Sequence, residues 1–389
     1  MKRSTAVSAI AAALLLFACQ EVAEPNVHDA ISFSVPSIHA TNLRIDKIRF
    51  DKMALDSFSS SLDGKLYISG SRLIFVDDHL CFLSEFDTSG RFVSRHLGRG
   101  KGPDELPVKK IGFFGRTSDG NYFFIGTSWD CYLFDKNFHH LDDYEINWHP
   151  SNRTGGAENR PDPSTTDLYT LAYGFGAMDI DGTTAYLPLL SQARSFNSIS
   201  PTYSSDARML ATMDIRNGYI GKIMGRLSPV YRENKNFQTQ TYLNFQLAPA
   251  NQLYLSYPLD SFIYVSDRKF TIERKFGRKG RDMNMSYTAV DNISNFWNVW
   301  NRQETRLGHY GAIKYIKDMN LLFRSYQKGI PSSSDGLQIY RNDTIVADID
   351  VPKGFEVIGY IYPYFYSNAF SDEDKERVGF YKFRIDLKP

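Results

Sequence analysis

From residue 42 onward, short runs of alternating apolar and polar residues are separated by Gly, Pro, Asn, Asp and Ser. Apolar side chains at every second position are typical of a strand with one buried face, and turn residues between the runs mark chain reversals. The pattern is clearest between residues 242 and 276. It predicts the strands Tyr242–Leu247, Gln252–Ser256, Ser261–Val265 and Phe270–Phe276. The sequence therefore predicts a chain built from four-stranded antiparallel units.

One part of this unit recurs as a hairpin followed by a glycine-rich exit. Residues 86–105 read FDTSGRFVSRHLGRGKGPDE, in which Thr88-Ser89-Gly90 supplies the permissive backbone of a tight turn. Residues 265–280 read VSDRKFTIERKFGRKG and repeat the turn, the alternation and the Gly-Arg exit. Internal repetition of this kind predicts several copies of one β unit.

Six such units can be placed along the chain. The first takes Met53–Ser59 as its inner strand, followed by Lys65–Val76, Leu80–Phe86 and Arg91–Leu97. The sixth unit has only three strands, and Asn42–Asp51 supplies the missing one. A ring closed in this way exposes no long strand edge. We therefore predict an all-β fold, a six-bladed β-propeller closed by an N-terminal strand that completes the last blade; a pair of β-sandwiches is the alternative.

The composition agrees with a β fold and weakens one class of function. Aromatic residues make up 14% of the chain, including 24 Tyr and 28 Phe, and they favour pleated surfaces over helices. The 45 basic and 44 acidic residues leave a net charge of +1. Because no field of one sign surrounds such a chain, the composition argues against nucleic-acid binding.

The N-terminus predicts an exported lipoprotein. Residues 1–18 have a positive start and a short apolar run, Ala6–Phe17, that is too short to span a bilayer. The segment Leu16–Cys19 resembles the bacterial lipobox, in which the cysteine is lipidated and becomes the first residue of the mature protein. Cys19 is therefore the predicted lipidation site. The alternative is an ordinary cleaved signal peptide in which Cys19 is incidental.

These signals divide the chain into three parts. Residues 1–18 form the predicted signal peptide, residues 19–41 a flexible tether from the lipidated cysteine, and residues 42–389 the propeller. The predicted location is the outer membrane, with the propeller facing the periplasm or the cell surface. The sequence leaves the choice between these two faces open.

Two further cysteines, Cys81 and Cys131, fall within strands of different repeats. Equivalent strands of neighbouring blades should lie farther apart than the roughly 7 Å between Cα atoms that a disulfide allows. An oxidising compartment permits a bridge between them. We nevertheless predict two buried, unpaired thiols, because free cysteine behaves as a small apolar residue.

Residues 97–105, LGRGKGPDE, place glycine, proline and acid in a fixed order. They resemble the Gly-Arg-x-Gly-x-Gly-Pro-x-Glu signature of the TolB-like or NHL-like six-bladed propeller lipoproteins of Bacteroidota. The residues that carry the motif are Gly98, Arg99, Gly100, Gly102, Pro103 and Glu105. The lipobox, the chain length and the strand order fit the same family, so the resemblance covers nearly the whole mature chain. It implies a propeller in the cell envelope and, since most members lack an assigned activity, no particular reaction.

The glycines of this motif invite comparison with a phosphate-binding loop. No Gly-Lys-Ser/Thr ends the segment, so we interpret it as a structural passage from one blade to the next. Arg99 and Glu105 are predicted to pair across the turn. The alternative is anion binding by the amides of the turn.

The predicted ligand site lies on one face of the propeller. In a four-stranded meander, the loops between second and third strands open on the same face as the links between blades, and in this chain those connections are the long ones. Binding groups usually lie on elaborated loops held by a rigid scaffold. The candidate ligand-binding residues on this long-loop face are Asp78, Trp129, Asp130, Tyr257, Asp260 and Tyr326. Aromatic rings flanked by acids suit sugar or peptide recognition; packing between blades and capping of turns explain the same residues equally well.

The long link between residues 283 and 306 predicts a short helix. Ile293, Phe296, Trp297 and Trp300 fall at helical spacing. An apolar stripe of this kind is more often docked against its own domain than used as a partner site. We favour docking on the propeller.

No catalytic constellation is recognised in the sequence. It contains neither a Gly-x-Ser-x-Gly elbow nor a His-Glu-x-x-His motif. His139 and His140 are adjacent on a predicted strand and point to opposite faces, so they cannot bind one metal together. No catalytic residue, metal ligand or cofactor is therefore predicted. Calcium held at the axis by Asp or Asn is conceivable by analogy with six-bladed lactonases, but nothing in the spacing requires it.

Three hypotheses for the function follow. The first is a lipid-anchored envelope protein that binds a glycan, a peptide or a partner protein through its long-loop face. The second is a hydrolase or lyase acting on a glycan, lactone or peptide at the axial mouth of that face. The third is a structural subunit of an outer-membrane assembly. Paired carboxylates converging at the axis would favour the second.

Overall fold

Antiparallel strands form most of the regular structure, because the alternating segments place apolar residues on the packed faces of small sheets. The computed structural model describes residues 31–45, 47–56, 58–148, 161–372 and 375–386. Within these residues, six sheets of four or five strands each form a meander from an inner to an outer strand. We number these sheets blades 1 to 6 in chain order.

Blades 1 and 2 are regular. The strands of blade 1, from inner to outer, are Gly64–Ser69, Arg72–Asp77, Phe82–Phe86 and Phe92–Leu97. Those of blade 2 are Ile111–Arg116, Tyr122–Gly126, Asp130–Phe134 and His140–Glu145.

Blade 3 has an inner strand in two pieces and a long connection between its second and third strands. Its strands are Thr170–Leu171 with Asp179–Asp181, then Thr184–Leu190, Leu210–Asp214 and Tyr219–Met224. The long connection contains a small hairpin, Gln192–Ala193 with Phe196–Asn197, and helix α1, Tyr203–Asp206.

Blades 4 to 6 complete the set. Blade 4 consists of Asn244–Ala248, Gln252–Ser256, Ile263–Asp267 and Ile272–Phe276. Blade 5 consists of Tyr310–Ile316, Leu321–Tyr326, Asp335–Arg341 and Thr344–Val351. Blade 6 consists of Val357–Ile361, Tyr364–Ser367, Arg377–Phe383 and Phe50–Ala54, with the short strand Phe370–Asp372 beside the third.

Helices occur only in the connections of the described chain. The link from blade 3 to blade 4 carries helix α2, Val230–Glu233, and the link from blade 4 to blade 5 carries helix α3, Phe296–Arg306. Single 3-10 turns are formed by Thr166–Leu168, Lys235–Phe237, Ile293–Asn295 and Lys317–Met319. No helix of the described residues is long and apolar enough to cross a membrane.

The six blades are arranged in a ring, which confirms the predicted six-bladed β-propeller. Inner strands of neighbouring blades contact one another from blade 2 through blades 3, 4, 5 and 6 to blade 1. Buried apolar residues fill the spaces between adjacent sheets, and one large cluster extends over blades 2, 3 and 4. The ring leaves an axial mouth at each end.

Closure by an N-terminal strand is also confirmed, with a shift in position. Phe50–Ala54 pairs antiparallel with Arg377–Phe383 as the outer strand of blade 6. The predicted closing strand Asn42–Asp51 therefore begins too early. The predicted inner strand Met53–Ser59 of blade 1 is wrong for the same reason, because its first residues belong to blade 6. The predicted single strand Lys65–Val76 is two strands joined by a turn at Gly70, whose φ of 59° favours glycine.

The described residues before the closing strand pack on blades 4 and 5, beginning with Phe33, which is buried against Tyr264. Ser37 and Ile38 pair in parallel with Lys275 and Phe276 of blade 4. Thr41 then forms a parallel bridge with Ile345 of blade 5, and the amide of the next residue, Asn42, donates to the Ile345 carbonyl at 3.1 Å. The part of the predicted tether that the structure describes thus contacts blades 4 and 5, and its earlier residues lie outside the described ranges.

The glycine motif is a folded turn between blades 1 and 2. The Glu105 carboxylate accepts a hydrogen bond from the Gly102 amide at 2.8 Å. A Cβ atom on Gly100 would lie 1.9 Å from Glu105 Oε2, so the carboxylate occupies the space that a side chain would need. No ion pair joins Glu105 to Arg99 in this described segment, and the predicted pairing of these two residues is wrong. The turn amide is satisfied by the protein's own carboxylate.

Cys81 and Cys131 are both buried and unpaired, as predicted. Burial raises the pKa of the Cys81 thiol to about 12 and also raises that of Cys131. Both therefore remain neutral, apolar core residues at physiological pH.

Candidate functional site

The long-loop face carries a cavity of about 180 Å³ at the axial mouth. It is lined by residues from blades 3 to 6 and from the link that precedes blade 5. Its polar and aromatic lining residues include Phe175, Tyr242, Asn244, Glu304, His309 and Glu356.

The fold places these side chains at one end of the molecule because every inner strand starts there. Asn244 is the first residue of the inner strand of blade 4. His309 and Glu356 immediately precede the inner strands of blades 5 and 6. Glu304 reaches the same mouth from α3. Strand starts and one helix therefore build the site on rigid elements.

Two side chains of the cavity lining each carry a buried polar atom that lacks a partner within the described residues. His309 is only 3% exposed, and its Nε2 lies 3.4 Å from Glu304 Oε1 while its Nδ1 has no hydrogen bond. Asn244 is 7% exposed, and its Nδ2 is likewise unpaired. An unpaired buried polar group costs about 1–3 kcal/mol. A ligand that hydrogen-bonds both atoms would recover this free energy.

The two glutamates of the cavity differ in their affinity for a proton. Burial alone would raise the pKa of Glu304, but hydrogen bonds from His309 and Gln240 hold it below its usual value. Burial raises the pKa of Glu356, although the main chain of Ala312 and nearby positive charge oppose the shift. The cavity thus combines a carboxylate that stays ionised with one that retains its proton more readily.

Comparison with known proteins shows a shared fold. No protein-family model matches the sequence, and no curated protein matches it. A member of the DUF4221 family from Bacteroides vulgatus ATCC 8482 is similar with a TM-score of 0.63 and 15% identity, over 88% of this chain and 99% of that one. A protein from Bacteroides fragilis NCTC 9343 that is thought to be exported is similar with a TM-score of 0.51 and 14% identity, over 91% of this chain and 100% of that one.

At these identities the likeness concerns the fold alone. The chain shares the six-bladed propeller arrangement of a DUF4221 family protein. The chemistry of the axial cavity must therefore be inferred from its own residues.

Among the six predicted ligand residues, Tyr326 lines the axial cavity. Its side chain is 1% exposed, and its hydroxyl donates to Asp348 Oδ1 at 2.7 Å and accepts from the Arg281 amide at 3.0 Å. A Cβ on Gly336 would lie 1.9 Å from the Tyr326 ring. Tyr326 is thus a fixed wall of the cavity.

Tyr257 and Asp260 are held in the core of blade 4. The Tyr257 hydroxyl donates to the Arg226 carbonyl at 2.6 Å, and the ring is fully buried. The Asp260 carboxylate accepts from the Tyr264 hydroxyl at 2.8 Å and borders a separate cavity of about 420 Å³. The Tyr257 ring therefore offers no open face to a ligand.

The remaining predicted residues lie on blades 1 and 2, away from the lining of the axial cavity. Trp129 packs against Trp148 with ring centroids 5.6 Å apart, and Asp130 begins the third strand of blade 2. Asp78 is half-buried, and burial raises its pKa to about 6. The structure does not bring these residues together with Tyr326 in one site. In the described chain, no group of three or more His, Cys, Asp or Glu side chains is placed to bind a metal ion.

The sequence prediction missed His309, Asn244, Glu304 and Glu356. None belongs to a recognised motif, and they lie far apart along the chain. The available signal was their position, because three of them stand at the start of an inner strand, where side chains meet at the axis.

Proposed function

We propose that this protein is a lipid-anchored cell-envelope propeller that binds a glycan in the axial cavity of its long-loop face. The observation that carries the proposal is the pair of unpartnered buried atoms, His309 Nδ1 and Asn244 Nδ2. Sugar hydroxyls both donate and accept hydrogen bonds, so one ligand class satisfies the amide donor of Asn244 and the ring nitrogen of His309. Rings of Phe175 and Tyr242 in the lining add apolar surface for a sugar face.

The size of the cavity favours a glycan over a folded partner. A cavity of about 180 Å³ can hold the end of a glycan or peptide chain but not the surface of a folded protein. A peptide end is the competing ligand. A thermal-shift screen with glycans and peptides distinguishes the two, because the proposal expects stabilisation by glycans alone.

Asn244→Ala tests the site directly. The substitution removes a donor that the free protein leaves unpaired, so the variant should melt no lower than wild type while losing glycan affinity by about tenfold. The matched control is Asn137→Ala, an exposed asparagine in a tight hairpin on the opposite face. Equal glycan affinity in Asn244→Ala and wild type would contradict the proposal.

The envelope location is supported by the signal-like N-terminus, by the resemblance of the glycine motif to TolB-like propeller lipoproteins, and by the similar Bacteroides fragilis protein thought to be exported. Cys19 lies outside the described residues. Cys19→Ala should move the protein from the membrane fraction to the soluble fraction after cell lysis. A variant that stays with the membrane would refute lipidation at this residue.

A second candidate function, hydrolysis of the bound glycan, is favoured by the two glutamates in the cavity. Glu356, with its raised pKa, suits a proton donor, and the ionised Glu304 suits a base or nucleophile. Release of new reducing ends from a glycan, abolished by Glu356→Gln and by Glu304→Gln, would establish it. Binding without turnover would restrict the protein to recognition.

A further inference from the structure

An aromatic groove continues outward from the axial cavity. It has a volume of about 190 Å³ and lies between α3 and the long connection of blade 3. Phe175 and Tyr242 line both the groove and the axial cavity, so the two spaces adjoin. The groove is further lined by Phe296, Trp297 and Trp300 of the helix and by Ser191, Asn197 and Thr241.

Rings follow one another along this groove from the axis to the surface. Phe175 lies 5.2 Å from Tyr242 and 5.9 Å from Trp300, measured between ring centroids. Trp300 lies 5.7 Å from Trp297, which in turn lies 5.3 Å from Phe296. Trp297 is the most exposed of these helix rings, with 49% of its surface accessible to solvent.

The helix is oriented so that these aromatic residues are not its buried face. Val299 and Gln303 are the buried residues of α3. Gln303 donates to the Thr288 carbonyl at 2.9 Å and accepts from the Thr239 hydroxyl at 2.7 Å. The helix is therefore fixed through Val299 and Gln303 and not through the predicted apolar stripe as a whole. Of that stripe, Trp300 packs against Phe175, whereas Ile293 and Trp297 are exposed to solvent.

One polar atom of the groove has no partner within the described structure. The Nε1 of Trp300 is buried and makes no hydrogen bond. By contrast, Ser191 Oγ donates to the Phe196 carbonyl at 2.6 Å, and Asn197 Nδ2 donates to the Ala193 carbonyl at 3.0 Å. The groove thus offers ring faces and one indole donor, which suits a ligand with an apolar face and hydroxyl groups at its rim.

We infer that this groove is a second sugar subsite, so that the ligand is a glycan chain of two or more units with its end in the axial cavity and a following unit stacked on Trp297. The inference rests on the proposed function. Continuity with the polar axial cavity selects a glycan over an apolar peptide, because the same chain must satisfy His309 and Asn244 at its end. A fixed, exposed indole costs little entropy on binding and supplies the contact area.

Isothermal titration with matched saccharides of increasing length tests the subsite. The probes are glucose, mannose, galactose and N-acetylglucosamine, each with its β-1,4-linked di- and tetrasaccharide. For the sugar that binds, we expect the tetrasaccharide to bind about tenfold more tightly than the monosaccharide, the gain expected of one aromatic anchor. Trp297→Ala should remove this gain and leave monosaccharide affinity unchanged. Trp297→Phe should retain part of it.

The outcomes separate the two proposals. The second subsite is overturned if the tetrasaccharide binds no more tightly than the monosaccharide, or if Trp297→Ala keeps the higher affinity for the tetrasaccharide. Either result leaves the axial site unaffected. Absence of binding by every saccharide of the panel overturns the proposed function and the subsite together. Because Trp297 is half exposed, thermal melting of Trp297→Ala should match wild type. Trp300→Phe, which removes the indole N–H and one of the two fused rings, should also weaken the tetrasaccharide.

Discussion

Arg324 is the most informative residue for the stability of the ring. It lies on the second strand of blade 5, is fully buried, and binds the loop of blade 4 that contains Tyr257 and Asp260. Its guanidinium donates to the carbonyls of Tyr257, Asp260 and Ser261 at 3.3, 2.6 and 2.9 Å. Its Nε donates to Ser256 Oγ at 2.8 Å. All four acceptors are neutral, so hydrogen bonds rather than an ion pair hold the charge.

The loss of stability that Arg324→Ala should cause follows from these contacts. Hydrogen bonds from a charged donor contribute about 1.5–3 kcal/mol each, but burial lowers the pKa of Arg324, which shows that desolvation opposes them. Truncation also removes the guanidinium from the Tyr310 ring, whose centroid is 3.4 Å away, and leaves a cavity. We expect a net loss of about 4 kcal/mol, close to the cost of breaking a buried polar cluster. Arg324→Lys should lose about 2 kcal/mol, because one ammonium cannot reproduce the planar fork.

Urea unfolding followed by tryptophan fluorescence measures these losses. The control is Arg91→Ala, since that side chain is 78% exposed and pairs with Asp87 in a hairpin. Its removal should change the free energy of unfolding by less than about 0.5 kcal/mol. An Arg324→Ala variant within about 1 kcal/mol of wild type would refute the reasoning, because the buried fork would then contribute nothing net.

Three further predictions concern other parts of the fold. The pKa of Glu356 is raised in the folded protein, so the stability of the wild type should fall as the pH rises from the unfolded pKa of about 4.3 through the folded value. Glu356→Gln should remove this fall and melt at a higher temperature than wild type at pH 7. A difference in stability between the two proteins that does not change with pH would contradict this prediction. Phe50→Ala should lower the free energy of unfolding by about 2–3 kcal/mol and lower the melting temperature of the whole ring, because Phe50 packs on Phe355 and Phe383. The control Phe92→Ala, at an exposed position, should do neither. Unfolding of blade 6 alone in Phe50→Ala would count against closure of the ring by this strand. Gly100→Ala should lower the free energy of unfolding by about 1–2 kcal/mol in the wild-type background and by less in a Glu105→Ala background, because the added Cβ meets the Glu105 carboxylate. Additive losses in the double variant would contradict this contact.

The fold was predictable because its signals are local and repeated. The alternation in Phe270–Phe276 and the turn glycines that follow such strands identify outer strands and exits between blades. The errors arose where alternation alone cannot assign a strand to a blade. Met53 and Ala54 alternate equally well in either blade, and only pairing with Phe380 and Gly379 assigns them to blade 6.

The site was much less predictable, because its residues are adjacent only after the ring has closed. Tyr257 looks like an exposed loop aromatic, yet the loop is drawn inward by Arg324 and its hydroxyl is bound within the core. His309 and Glu356 look like ordinary residues before a strand. Their proximity at the axis depends on the arrangement of blades 5 and 6, which no local pattern in the sequence encodes.

A crystal structure of the protein soaked with the best-binding saccharide of the panel would test the axial site most directly. We expect a sugar unit in the axial cavity with hydroxyl groups within about 3.2 Å of His309 Nδ1 and Asn244 Nδ2. A saccharide bound elsewhere on the propeller, with both atoms still unpaired, would contradict it.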